Sequence, residues 1–283
     1  MKKIAAVIVT YNNAGMLAKL LADVLGQTCK PDEVLVVDNA SRDATTEVVK
    51  GFLPSVRYVR FEQNLGSAGG YHEGIRLASL DNDAIWLLDD DVAMGPNALE
   101  ALVKGLEAVK KKEKVGAVRS WCTQECPFSV FRKTSSFAWR GTMITRQTVE
   151  TIGLPKTEYF LYYDDIEYAW RMVKNGFAIY WIPASRVWEQ RFDDKQRVRI
   201  GTATVSIYKD KARLYYAFRN QVNLCLLYQR WWCLLRTLLY AVKVVSMLFF
   251  TGDAELKGKI HAIAQGINDG FKKRLGRNDA YSL

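Results

Sequence analysis

The chain has little cysteine and no cysteine motif. Its five cysteines, Cys29, Cys122, Cys126, Cys225 and Cys233, are scattered and odd in number. They lack the paired spacing of a zinc site, and read as reduced thiols in a cytosolic protein. A secretory leader is not expected either. Lys2 and Lys3 precede only the short apolar run Ile4–Val9, which polar Thr10-Tyr11-Asn12-Asn13 ends. The expectation is a protein that stays in the cytoplasm. No uncharged apolar run reaches the roughly 18–20 residues of a spanning helix. The nearest stretch, Leu224–Phe250, is interrupted by Arg230, Arg236 and Lys243. Internal repeats and low-complexity segments are absent as well.

Acidic residues are the minority: 30 Asp and Glu against 40 Lys and Arg give a formal net charge of +10. Such an excess suits an anionic partner, whether nucleic acid, acidic lipid or a phosphorylated substrate. Apolar residues at 49% and charged residues at 25% suffice for a packed core. The 283 residues allow one large domain with an appendage, or two small ones.

The first half alternates short Val/Ile runs with helical stretches. Strands are expected at Ile4–Val9, Val34–Val37, Val56–Phe61, Ile85–Leu88 and Val115–Val118. Helices are expected at Ala14–Gln27, Ala44–Phe52, Ala68–Leu80 and Ala98–Lys111. This predicts an open α/β sheet with right-handed crossovers, whose ligands bind at the carboxyl ends of the strands. Four polar clusters should then share one edge: Thr10–Asn13, Asp38–Ser41, Asn64–Gly70 and Asp89–Asp91. Beyond residue 120 the pattern loosens. Phe137–Thr145 and Ala178–Ile182 read as strands, and Ile166–Lys174 as a helix closed by Asn175-Gly176. From Ser206 onward the pattern reads as helical, which places a boundary near residue 205, between domains 1–205 and 206–283.

Asp89-Asp90-Asp91 ends an apolar strand. Three adjacent carboxylates repel one another, and a divalent cation such as Mn²⁺ or Mg²⁺ relieves that conflict. Alternate residues of an extended segment face one side, so Asp89 and Asp91 can share a site. A solvated acidic turn is the plain alternative. Asn64–Gly70 is Gly-rich and opens a helix, which suits a diphosphate but is common in turns. Asp38 can serve a base or ribose, or cap a helix. Tyr11 can stack on a base or pack the loop. In Tyr163-Asp164-Asp165-Ile166-Glu167 one acid can take a proton from a hydroxyl, or both can merely suit a helix start. Glu167 and Arg171 are spaced to pair.

Taken together, Val7–Asn12, Val36–Ser41, Asn64–Gly70, Leu87–Asp91, Gly141-Thr142-Met143 and Phe160–Arg171 resemble the family 2 group of GT-A glycosyltransferases. The blocks stand in the family's order over about residues 4–195. Tyr163–Tyr168 is similar to bacterial galactofuranosyltransferases. Rhamnosyltransferases using a dTDP-sugar are also similar, but usually carry Glu-Asp at the first two acids. The resemblance implies a Rossmann-like GT-A α/β domain with a mostly parallel sheet and a C-terminal helical extension. It implies inverting transfer from a nucleotide-sugar, a UDP-sugar being favoured, with Mn²⁺ or Mg²⁺. Thr10, Tyr11, Asn12, Asp38, Asn64, Gly69, Asp89 and Asp90 would bind the donor. Asp89 and Asp91 would hold the metal. Asp165 would be the base, with Asp164 beside it, and Tyr163, Gly141, Thr142 and Arg219 would meet the acceptor. One position departs from the family: Glu189 stands where a metal-binding His is usual. Neither His72 nor His261 falls there. Either Glu189 takes the role or the third ligand is absent.

The C-terminal stretch is apolar, aromatic and basic. Arg236 and Lys243 lie within about 20° of each other on a helix. With Trp231 and Trp232 this reads as an interfacial helix on the cytoplasmic face of a bacterial inner membrane, peripheral rather than spanning. The alternatives are packing on the catalytic domain or a homo-oligomer seam. A lipid-linked glycan acceptor would suit such a surface. Nucleotidyl transfer and a non-catalytic membrane scaffold are the more distant readings. Nucleic acid is not expected as a partner, because acidic clusters sit where its phosphates would lie.

Overall fold

The structure is a computed structural model and describes residues 3–123, 125–190, 195–200 and 203–282. The chain divides into two compact units: Met1–Lys156 with Asp165–Arg191, and Thr157–Asp164 with Phe192–Leu283.

In the first unit, β1 (Ile4–Thr10), β2 (Glu33–Asp38), β3 (Arg57–Arg60) and β4 (Ala84–Asp89) run parallel in the order β3-β2-β1-β4. Every residue of β1 is buried, as a strand covered on both faces requires. Its alternate side chains feed two cores. Ile4, Ala6 and Ile8 pack with α1 (Ala14–Leu25) and α4 (Ala98–Lys110), while Ala5, Val7 and Val9 pack with α3 (Gly66–Ala78) and α6 (Asp164–Lys174). Thr10 lies opposite Asp38, Asp38 opposite Arg60, and Val9 opposite Asp89. The strands therefore finish level, and the polar clusters that follow them share one edge as the alternation predicts. Between β2 and β3 runs α2 (Thr45–Lys50).

The rest of the sheet departs from the predicted spans. The strand expected over Phe137–Thr145 shortens to β8 (Thr142–Thr145), antiparallel between β4 and β6 (Val115–Trp121). Gly141 takes φ +70 and breaks the extended run, so Phe137 and Trp139 enter the core from a loop. Two short strands escape the sequence reading, β5 (Val92–Met94) and β7 (Arg132–Thr134). β9 (Ala178–Glu189) runs seven residues past its predicted end at Ile182. It lies beside β6 up to Ile182 and, after a register shift, again at Arg186; Val187–Glu189 then pair with β5. Pro183, which has no N–H for a ladder, stands in that interruption of the β6 pairing. This switch brings Glu189 opposite Val92, one residue past the acidic run. α5 (Arg146–Ile152) follows β8.

The second unit holds a hairpin of β10 (Lys195–Ile200) and β11 (Ala203–Tyr208), then α7 (Lys211–Leu227), α8 (Trp231–Phe250) and α9 (Leu256–Phe271). The helix expected from Ser206 begins instead at Lys211, where Asp210 caps it by accepting from the N–H of Ala212 at 2.6 Å and of Arg213 at 3.2 Å. In β11, Val205 and Ile207 are buried and Thr204 and Ser206 exposed, the period of a strand. α9 lies close on α7 because Gly266 and Gly270 face it. A Cβ on either would stand 2.5 Å from the Tyr215 carbonyl oxygen or 2.6 Å from that of Arg219.

Candidate active site

The acidic run divides by role. Asp90 is fully engaged: the Thr10 hydroxyl donates to its Oδ2 at 2.7 Å, the Tyr11 N–H to the same oxygen at 3.2 Å, and the Asn13 amide to Oδ1 at 2.9 Å. It fixes the loop after β1. Thr10, expected at the donor, is buried and its hydroxyl is taken by this contact. Asp89 accepts the Tyr71 hydroxyl at 2.6 Å. Burial is the main force on all three acids, raising each above the ordinary carboxylate range. Asp90 is pushed to about 6. Asp91 reaches about 7, with Asp89, Asp90 and Glu189 adding to the effect of burial. Hydrogen bonding from Tyr71 and the charge of Arg140 partly offset the burial of Asp89.

Several residues expected to touch a donor are engaged in hydrogen bonds within the protein. Asp38 is wholly buried. Its Oδ1 accepts the Ser41 N–H at 2.8 Å and its Oδ2 the Tyr58 hydroxyl at 2.6 Å, with Arg60 Nε at 3.5 Å. Burial and that carboxylate push the Tyr58 phenol up to about 12. Asn12 ties the first two loops together, donating its N–H to Ser41 Oγ at 2.9 Å and accepting from the Arg42 N–H at 2.7 Å. Asn64 accepts from the N–H of Gly66 at 2.8 Å and so starts α3. The glycines that follow are closely packed. A Cβ on Gly69 would lie 2.5 Å from Leu65 Cβ, and one on Gly70 2.4 Å from Val9 Cγ1. The sequence reading passed over Asn39, which joins β2 to α3 by donating to the Gly66 carbonyl at 3.1 Å and accepting from Leu65 N–H at 3.3 Å. Tyr11, Asp89 and Asp91 remain partly exposed at this edge.

The third metal position is occupied differently from the family pattern. Glu189 lies near enough to Asp91 to raise its pKa, but its carboxylate accepts from Arg140 at 2.9 Å. Among the described residues, no three His, Cys, Asp or Glu side chains are placed to close round a metal. Asp89 and Asp91 fit one chemically, as hard oxygen donors whose excess negative charge a divalent ion would relieve. Glu189 in its present pairing does not complete the set.

On the acceptor side, Asp165 is partly exposed while Asp164 is buried. Asp165 Oδ1 accepts the N–H of Ile166 at 2.7 Å, which fixes the carboxyl at the head of α6. Its charge also favours the ionised form of Arg119, a guanidinium whose pKa burial otherwise lowers. Arg119 lies 3.6 Å over the Trp181 ring and donates to the Ser136 carbonyl at 3.0 Å. The predicted Glu167–Arg171 pair is present at 2.9 Å, buried on the Glu side. Thr142, expected to meet the acceptor, is buried, and its hydroxyl donates to the Ala138 carbonyl at 2.7 Å. Gly141 is likewise structural, its N–H donating to Leu87 O at 2.9 Å and its carbonyl accepting from Ser120 N–H at 2.8 Å.

Arg219 also has a different task from the one expected. It is buried, and its guanidinium donates to the Tyr159 carbonyl at 2.9 Å and to the Gly276 carbonyl, while Asn220 takes Nε at 2.8 Å. Donors spent on backbone carbonyls leave no fork for an acceptor's phosphate. Asn220 in turn donates to the carbonyls of Tyr159, Leu161 and Tyr162 at 2.9, 2.7 and 2.9 Å. The held segment contains Phe160, Tyr162 and Tyr163 at φ +61, +66 and +64, a conformation that costs bulky residues of order 1 kcal/mol each. The strain is sustained because the carbonyls between are pinned.

Comparison with known proteins agrees with this architecture. Residues 5–146 match the family model described as glycosyl transferase family 2. The galactofuranosyltransferase GlfT1 of Mycolicibacterium smegmatis is 26% identical over 248 residues, covering 77% of this chain and 81% of that protein. Among solved structures, the mannosyltransferase PcManGT of Pyrobaculum calidifontis, in complex with GDP-Man and Mn²⁺, superposes with a TM-score of 0.63 at 18% identity over 96% of this chain and 88% of its own. GalNAc-T7 with UDP, GalNAc and Mn²⁺ gives 0.61 at 16% identity over 96% of this chain and 56% of its own. The fold is thus GT-A, a mixed α/β unit with a mostly parallel sheet followed by a helical region.

Proposed function

The chain belongs to glycosyl transferase family 2, and on that premise we propose that it transfers galactofuranose from UDP-galactofuranose, with inversion, to a lipid-linked glycan. The observation that carries the chemistry is a partly exposed carboxylate, Asp165, in the same compact unit as the unbalanced acids Asp89 and Asp91. The sugar rests on the similarity to GlfT1 over most of both chains.

In this reading Tyr11 stacks on the nucleotide base, and the diphosphate lies at the Asp89–Asp91 edge. Mn²⁺ or Mg²⁺ held by Asp89 and Asp91 would supply charge neutralisation for the diphosphate. Asp165 accepts the proton of the acceptor hydroxyl. The new C–O bond forms at the anomeric carbon opposite the breaking bond to the diphosphate, which inverts the centre. Tyr163, two residues before Asp165 in the chain, is the residue assigned to a sugar face. The membrane side of the proposal rests on α8, whose outward face is aromatic and basic.

The test is a donor panel with purified protein and Mn²⁺: UDP-galactofuranose, UDP-GlcNAc, GDP-mannose and a dTDP-rhamnose. UDP release and transfer should favour UDP-galactofuranose. Preference for the dTDP-sugar would replace the proposed donor, and no nucleotide release from any donor would end the reading. Asp165→Asn should lower transfer by roughly 10²–10⁴-fold while leaving UDP binding in place. Transfer at the wild-type rate would remove Asp165 as the base.

A further inference from the structure

Arg140 lies in the loop before β8, outside the donor residues assigned above. Its neighbours fix it from both sides. Trp139 is buried and stacks on Tyr71 at 4.9 Å, and Tyr71 donates to Asp89. Gly141 turns the chain at φ +70 and is tied by its N–H to Leu87 O. Between these anchors the Arg140 side chain runs to Glu189, and its charge acts on both Asp89 and Asp91. Its Nε–H is buried and, among the described residues, meets no acceptor. The guanidinium is about one-third exposed, at 30%.

A preset guanidinium beside two carboxylates has a specific use in a site that takes a diphosphate. Its planar fork matches phosphate oxygens two at a time, and it cannot lose its proton at working pH. We propose that Arg140 binds the donor's diphosphate directly, and that Glu189 holds this arginine in place instead of serving as the third metal ligand. This rests on the reading of the Asp89–Asp91 edge as the diphosphate end of the donor site. Part of the leaving group's charge is then met by the protein itself, and diphosphate recognition keeps a component that a chelator does not remove.

Calorimetric titration of the full chain with UDP and with uridine, each in Mn²⁺ and in EDTA, tests this. GDP and guanosine run in parallel cover the choice of base. The wild type should prefer the diphosphate to the nucleoside in both media. Arg140→Gln should weaken UDP binding by roughly tenfold or more in both, with uridine binding unchanged. Arg140→Lys, which keeps the charge but not the fork, should fall between, and it keeps the test alive if the Gln variant fails to fold. Equal UDP affinity in wild type and variants overturns the proposal. So does a wild-type diphosphate preference that vanishes in EDTA, or a loss of UDP and uridine binding together. If the wild type binds no nucleoside diphosphate in either medium, the donor-site reading falls first and takes the proposal with it.

Discussion

Three carboxylates in a row are not equivalent, and their surroundings distinguish them. Asp90 has donors on both oxygens and acts as a strut. Asp91 has its pKa pushed up to about 7, first by burial and then by Asp89, Asp90 and Glu189. A carboxyl raised in the folded state binds its proton there more tightly than in the unfolded chain. Its contribution to stability is therefore complete at low pH and is lost as pH rises from about 4 towards 7. The metal-free protein should melt at progressively lower temperature between pH 5 and 8, and Asp91→Asn should flatten that decline. Scanning fluorimetry in EDTA across the range checks this, and a melting temperature that rises with pH would contradict it. Mn²⁺ should bind more tightly over the same window, because binding needs the ionised acids. The acidic run was legible in the sequence because it ends an apolar strand. Its division of labour was not, since Asp90 owes its role to Thr10 and Asn13, some eighty residues earlier. Arg140 was hidden for a similar reason. One arginine in a loop carries no periodic signal, and only the turn at Gly141 and the long β9 bring it to Glu189.

At the scale of elements, the fold depends on how closely α3 lies on the sheet. Gly74 faces Val7, where a Cβ would stand 2.4 Å from Cγ1, and Gly70 meets Val9 at the same distance. Gly70→Ala and Gly74→Ala should each cost about 1–3 kcal/mol through overpacking. Urea unfolding would measure this, and a loss below 0.5 kcal/mol would mean that α3 can lift off without penalty. The sequence reading left this glycine-rich stretch between a diphosphate and an ordinary turn, because composition shows small residues but not which face they present. The parallel strands β1 to β4 were the clearest part, since a strand buried on both faces is a continuous apolar run. The β10–β11 hairpin was available in principle: Arg197-Val198-Arg199 and Thr204–Ile207 alternate at period two, but the aromatic, basic composition that follows suggested a helix. The segment before α6 could not have been foreseen. Left-handed Phe160, Tyr162 and Tyr163 are held by Asn220 from α7, a contact about sixty residues away in sequence. Asn220→Ala would leave three carbonyls without this donor and should lower stability by about 2 kcal/mol, read from the same urea titration.

At the scale of the molecule, the open question is what covers α8. Its inward residues Leu234, Ala241, Val244, Met247 and Leu248 join the cores of the second unit. Its outward residues Trp231, Trp232, Leu235, Leu239, Val242, Phe249 and Phe250 are exposed, Phe250 at 72%. Arg236 and Lys243 are exposed among them. The helix is long and apolar enough to cross a membrane by length and composition. However, its inward face already packs against protein, and a spanning segment would set both basic residues in hydrocarbon at a cost of several kcal/mol. The proposed interfacial position would satisfy both faces: aromatic and aliphatic side chains would enter the headgroup boundary while the basic residues meet acidic lipid, each worth about 1 kcal/mol. The protein should sediment with vesicles containing acidic phospholipid, and less so with neutral vesicles or in high salt. Replacing Leu239 and Val242 together by Glu should lower vesicle partition more than tenfold, because each loses roughly 1.5–3 kcal/mol of apolar burial. UDP binding should be untouched. Self-association of the wild type without lipid, abolished by the same double substitution, would instead assign this face to a second copy of the chain.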